Sequence, residues 1–183
     1  MIVTRRIQLI ALLAVLAPIS ALGAQRVVWL NLGGGVSIPQ GTLRDGADPG
    51  WHALGALSIT TLTQPIGLRI EGAHNRFAFT DRAETAAGGA GEQVTSSATL
   101  NLTYRLPMAN SPLSPYLITG AGAYHSACTR GPACDGETKF GWSAGLGTKM
   151  FVGLRSFLEA RYHRSSRAGR SVAYFPLSVG ITF

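Results

Sequence analysis

Between Thr138 and Met150 the side chains alternate in character: Phe140, Trp142, Ala144, Leu146 and Met150 fall on one face, and Lys139, Gly141, Ser143, Gly145, Gly147 and Lys149 on the other. A period of two marks an extended strand, because successive side chains of a strand point to opposite faces. The stretch 94–106 repeats it, with Val94, Ala98, Leu100, Leu102, Tyr104 and Leu106 opposing Thr95, Ser97, Thr99, Asn101, Thr103 and Arg105. Eight such segments run along the chain, at 27–38, 51–61, 66–76, 94–106, 114–125, 138–150, 153–164 and 172–183. Each is about twice the length of an average strand. No convincing helical stripe interrupts them.

Composition narrows the class further. Only 14% of the residues are charged although 46% are hydrophobic, which excludes a disordered polyelectrolyte. The 23 glycines sit largely inside the alternating segments, where each would cost a helix roughly 1 kcal/mol, so a helical bundle is disfavoured. Beyond the N-terminus no run of about 18 apolar residues occurs, which excludes a polytopic helical membrane protein.

The connections alternate in length. Those at 62–65, 107–113 and 151–152 are short; those at 39–50, 77–93, 126–137 and 165–171 are longer and rich in Gly, Asp, Arg and Pro. Long strands with short turns at one end and long loops at the other predict an all-β fold, an eight-stranded antiparallel up-and-down transmembrane β-barrel. In hydrocarbon every backbone polar group needs an internal partner, so the sheet must close on itself. Eight strands leave a lumen only just wide enough for side chains, which accounts for glycine opposite bulky residues. A soluble lipocalin-like barrel is the rival, but here the Gly-rich face also carries Lys, Arg and Glu, which suit a wet or ion-paired lumen.

Residues 1–24 read as a secretory signal. Arg5 and Arg6 supply the positive start, Ile7 to Leu16 a short apolar run, and Ala21, Gly23 and Ala24 a cleavage site after Gly23 or Ala24. The expected mature domain is 25–183, and loss of Arg5 and Arg6 lowers the formal charge from +7 to +5. That modest excess gives no argument for nucleic acid in an exported protein.

The last segment places Phe175, Leu177, Val179, Ile181 and Phe183 on one face and ends on Phe183. The first carries Gly33-Gly34-Gly35-Val36-Ser37-Ile38-Pro39-Gln40-Gly41, followed by a loop and then Trp51 and Gly55. In these features the chain resembles the small eight-stranded outer-membrane barrels that include the OmpA barrel, OmpX and OmpW, over essentially all of 26–183. The resemblance implies a Gram-negative-type outer membrane and partners in the lipid bilayer, lipopolysaccharide and the assembly machinery. It also implies that the terminal aromatic row is the signal this machinery reads. With the chain ending at Phe183, a two-domain cell-wall tether is not expected.

Four charges are expected inside. Arg69 and Glu71 share the inward face of the third segment, Glu159 and Arg161 that of the seventh, and in an eight-stranded barrel these lie across the lumen from each other. Complementary pairs there would plug the interior, since a charge left unpaired would cost several kcal/mol; a gate that exchanges partners is the alternative. Cys128 and Cys134, in the third long loop of an exported protein, read as a local disulfide, and two cysteines without a His pair are too few for zinc. No metal or cofactor is expected.

His163-Arg164-Ser165 carries a competing implication. Lipid A deacylases of the same build use a His-x-Ser pair at about this place, which would make His163 the base and Ser165 the nucleophile, at the outer end of the seventh strand near the headgroups. No Asp or Glu follows Glu159 in the sequence, so the orienting acid is missing from its expected strand. Arg164, Arg167 and Arg170 are expected on the outer loop, where guanidinium suits lipopolysaccharide phosphates. The expectation is therefore a non-enzymatic, monomeric barrel with a structural or surface-interaction role; the alternatives are the lipid enzyme and a narrow small-molecule pore.

Overall fold

The structure is a computed structural model that describes residues 26–61, 63–108, 111–130, 136–167 and 170–183. The expected signal segment 1–24 and Cys134 lie outside the described residues. Eight strands, β1 (Arg26–Gln40), β2 (Gly50–Thr61), β3 (Ile66–Ala78), β4 (Glu92–Arg105), β5 (Leu113–Cys128), β6 (Glu137–Phe151), β7 (Arg155–Arg167) and β8 (Arg170–Thr182), pair in chain order and close between β8 and β1. Every pairing is antiparallel.

The strands are staggered as well as paired. Stepping from Leu30 through its partners Leu57, Ile70, Leu100, Ala121, Trp142, Arg164 and Ala173 returns to β1 at Gln40, ten residues from the start. Such a shear is what tilts the strands of a closed sheet. Because the stagger is even, one face of every strand stays inside and the other stays outside.

The alternation sorts side chains inversely to a soluble protein. Val28, Leu30, Leu57, Ile70, Leu100, Leu102, Leu146 and Val179 are exposed on the outer wall, while Asn31, Ser37, Arg69, Glu71, Asn101, Glu159 and Arg161 are buried within. Exposed aromatics mark both edges of the apolar band: Trp51, Phe140 and Trp142 toward the long loops, Tyr104 and Phe183 toward the short turns. These are the girdles of a membrane-spanning barrel.

The long-loop end differs from the sequence expectation in two places. The connection read as 77–93 contains a helix, α1 (Asp81–Ala87), capped by Thr80 accepting from the Ala83 amide and ended by Gly88 in the left-handed conformation. The connection read as 165–171 is mostly strand, since β7 runs to Arg167 and pairs it with Arg170 of β8. The first two long loops are also tied together: Asp48 N–H donates to the Ala78 carbonyl at 2.9 Å and Thr80 N–H to that of Gly46 at 3.3 Å.

Candidate functional site

Arg69 and Glu71 project inward from β3, and Glu159 and Arg161 from β7, opposite across the barrel. Each arginine meets both carboxylates. Arg69 Nη2 lies 2.5 Å from Glu71 Oε2 and its Nη1 lies 2.9 Å from Glu159 Oε2. Arg161 Nε lies 2.8 Å from Glu159 Oε1, and its Nη2 pairs with Glu71 Oε1. All four side chains are at most 4% exposed. Two charges of each sign in a closed ring leave no net charge in the middle of the lumen, which is the condition under which buried ions are tolerated.

Neutral groups complete the ring, and the sequence reading did not single them out. Tyr116 Oη donates to Glu159 Oε2 at 2.6 Å, and Arg161 Nη1 donates to Asn101 Oδ1 at 3.4 Å. Glycine makes the room: a Cβ on Gly147 would stand 2.5 Å from Tyr116 Cζ and Oη. The inward periodicity of β4 and β5 held the signal for Asn101 and Tyr116, but nothing in one strand's sequence identifies its partner across a lumen.

On the long-loop side of the ring the lumen is filled by rings of another kind. Phe77, Tyr124, Val172 and Tyr174 form a buried cluster with Ala47. His163 stacks on Tyr174 with centroids 5.0 Å apart and planes 12° apart, and its Nδ1 lies 3.0 Å from Tyr124 Oη. Beside them His52 bridges strands, with Nδ1 3.1 Å from Ser37 Oγ and Nε2 2.8 Å from Ser178 Oγ.

These positions correct the expectation for the His-x-Ser pair. His163 and Ser165 are 2% and 4% exposed and face the lumen, not the headgroups. An even offset along a strand puts both on one face, and the β7 register makes that face the inner one, shared with Glu159 and Arg161. The Nδ1 contact of His163 is with a tyrosine, not with a carboxylate or Ser165.

The remaining predicted residues separate. Arg164 is exposed on the outer wall, in register with Trp142. Arg167 and Arg170 are the last paired positions of the β7–β8 ladder and so belong to strands, not to a loop. Cys128 ends β5, and its expected partner Cys134 is outside the described residues. Phe175, Leu177, Val179, Ile181 and Phe183 follow one outward row of β8, and the Phe183 backbone exchanges bonds of 2.8 and 3.0 Å with Leu30 of β1. Among the described residues no group of three or more His, Cys, Asp or Glu is placed to hold a metal ion.

The comparisons with known proteins agree with this architecture. Neisserial surface protein A is similar at 13% identity with a TM-score of 0.62, covering 86% of this chain and 97% of that one. The attachment invasion locus protein Ail of Yersinia pestis, solved with the heparin analogue sucrose octasulfate, is similar at 15% identity and a TM-score of 0.51, covering 88% and 100%. A major outer membrane protein from Thermus thermophilus is similar at 11% identity and a TM-score of 0.54, covering 86% and 100%. No curated protein matches the chain in sequence. The profile of the outer membrane protein beta-barrel domain matches residues 9–183, and the chain belongs to that family, as a protein of the outer membrane.

Proposed function

We propose that this is a non-enzymatic, monomeric outer-membrane barrel that acts as a surface-interaction scaffold, with a lumen sealed by ion pairs and an outward face built from its long loops. The observation that carries the reading is the closed ring of Arg69, Glu71, Glu159 and Arg161 beneath a stacked aromatic layer, two successive barriers in one lumen. An even number of strands returns the chain to its starting side; with that side on the periplasm, the connections that follow β1, β3 and β5 face outward. Loops positioned by a rigid scaffold are the usual carriers of recognition.

Support for an outward interaction surface comes from the order in the first two of those loops. Helix α1 and the bonds between the two loops fix a shape that includes exposed Arg44 and Arg82. Arg164 on the outer wall beside Trp142 suits a lipopolysaccharide phosphate at the level of the aromatic girdle. Neisserial surface protein A and Ail, named for the cell surface and for attachment, are folds of the same build.

The purified protein in planar bilayers tests the seal: no stepwise conductance is expected, and stable unitary steps would replace the scaffold with a pore. Lipid A from cells making the protein tests the enzyme: its acyl pattern is expected unchanged, and loss of a chain that Ser165→Ala abolishes would restore the deacylase.

A further inference from the structure

Below the charge ring, at the end of the barrel with the short turns, the lumen opens into a cavity of about 300 Å³. Its chemistry is one-sided. Arg69 forms the roof, and Arg105, Lys149 and Arg155 line the walls, with no Asp or Glu among the lining residues. Arg69 is already held by Glu71 and Glu159. Among the described residues Arg105, Lys149 and Arg155 make no ion pair. Lys149 is half-buried, repelled by Arg69, Arg105 and Arg155 and attracted by Glu159 of the charge ring.

Converging cations on one concavity cost free energy unless something neutralises them, and that cost grows as the site is shielded from water. Solvated lysines on an open surface would need no such partner. Here Arg105 and Arg155 are exposed at the mouth and Lys149 is half-buried, and the three come from β4, β7 and β6 with aromatic surface between them. Arg155 lies over the Trp29 ring at 4.4 Å and Arg69 over the Phe157 ring at 5.6 Å. Those contacts aim the guanidinium edges and leave apolar walls between them. A pocket with apolar walls and a few convergent polar groups is the general form of a small-molecule site, and this volume is at the lower end of the usual range of roughly 300–1,000 Å³.

We propose that this mouth binds a small soluble organic anion, a phosphate or carboxylate carried on a compact aromatic or aliphatic body. Lys149 and Arg105 take the anionic group and the half-buried Trp29 takes the body. The lining faces inward, away from the bilayer, which favours a soluble ligand over a lipid headgroup. The site is independent of the outward loops and, if the termini are periplasmic, is filled from the periplasm.

Trp29 supplies the readout. The chain has three tryptophans, so Trp51→Phe with Trp142→Phe leaves Trp29 alone beside Arg155. This protein, folded in zwitterionic detergent, is titrated with phenyl phosphate. A saturable change in Trp29 emission at sub-millimolar ligand is expected, with a weaker response to inorganic phosphate and none to phenol. Lys149→Met and Arg105→Gln, each checked for folding by heat-dependent gel migration, should each weaken binding at least tenfold, and Lys139→Gln, at the long-loop end where Lys139 pairs with Glu137, should not. Calorimetry on the unsubstituted protein provides the same comparison if either variant fails to fold. An equal response to phenol, or equal affinity in a folded Lys149 or Arg105 variant, overturns the site. So does a calorimetric titration with no saturable heat. In nanodiscs, affinity should be the same with or without phosphatidylglycerol; competition by that lipid would overturn the assignment to a soluble anion.

Discussion

Arg69 of β3 and Glu159 of β7, ninety residues apart in sequence, meet across the lumen at 2.9 Å, and Glu71 and Arg161 close the same circuit. Each strand carries one arginine and one glutamate that pair with each other, Arg69 with Glu71 at 2.5 Å on β3 and Arg161 with Glu159 at 2.8 Å on β7. The bonds of Arg69 to Glu159 and of Arg161 to Glu71 join these two pairs across the lumen. The ring therefore forms only when β3 and β7 face each other in the correct register, and a slip of one residue would turn these charges into lipid.

Removing one member should be costly. Glu159→Ala leaves Arg69 and Arg161 sharing a single carboxylate and Tyr116 without its acceptor, and a broken buried pair typically loses about 3–5 kcal/mol. Urea unfolding followed by gel mobility should show that loss. Replacing the whole ring, as Arg69→Met, Glu71→Leu, Glu159→Leu and Arg161→Met together, should cost less than Glu159→Ala alone, because no charge is then stranded. Greater damage from the fourfold variant would mean that the ring stabilises the barrel beyond satisfying its own charges.

The same Glu159→Ala variant separates a seal from a gate. With the layer of Phe77, Tyr124, His163 and Tyr174 still stacked above the ring, the variant is expected to remain non-conducting in planar bilayers. Frequent openings would make the ring the gate.

The sequence carried the wall of this barrel more clearly than its contents. Residues such as Leu30, Leu57, Ile70 and Leu100 repeat one requirement, apolar contact with lipid, so alternation alone locates the strands. The lumen follows a different logic. That Arg69 and Glu159 would oppose each other follows from counting strands, and those four charges were legible for that reason. The burial of His163 follows from the same alternation, since it lies two residues beyond Arg161 on the inward face, and nearness to the strand end does not override that. Helix α1 escaped notice because seven residues give too short a stripe for periodicity. Its legible marks were Thr80 before it and Gly88 after it, a cap and a stop of the ordinary kind.

Room for the ring is itself a sequence property. A Cβ at position 147 would press on Tyr116 Cζ and Oη at 2.5 Å and on the Leu158 carbonyl at 2.8 Å. Gly147→Ala should therefore displace Tyr116 from Glu159 and destabilise the barrel by about 1–3 kcal/mol, the usual range for overpacking. Gly88→Ala, in the outer loop where no atom lies within 4 Å of the added Cβ, strains only the backbone at a positive φ of 77°. It should leave the unfolding midpoint of the barrel wall unchanged. Equal losses in the two variants would count against lumen crowding as the cause.

Thiol chemistry tests the loop between β5 and β6. If Cys128 and Cys134 are joined, the unreduced, purified protein has no titratable thiol, and reduction should speed proteolysis of that loop while leaving the strands intact. Closing so short a loop contributes roughly 2–3 kcal/mol locally. Two free thiols before reduction would rule out the bridge.

Phe183 bears on how the cylinder is closed. Its N–H donates to the Leu30 carbonyl at 2.8 Å and its own carbonyl accepts from Leu30 N–H at 3.0 Å, so the last residue of the chain extends the β8–β1 seam beyond Thr182. Its ring is exposed on the outer wall in the row of Val179 and Ile181. Two contributions are thus separable. Phe183→Ala keeps the backbone bonds and removes only the ring; deletion of Phe183 removes both and leaves Leu30 with unpaired groups at a membrane edge, each worth several kcal/mol in hydrocarbon. Tyr104→Ala, another exposed aromatic at the same end, controls for the loss of a girdle ring. If the terminal aromatic is an assembly signal, both Phe183 variants should yield far less heat-modifiable protein in the outer membrane than Tyr104→Ala. If only the seam matters, the deletion alone should fall. Equal yields of all three would show that Phe183 has no special role in insertion.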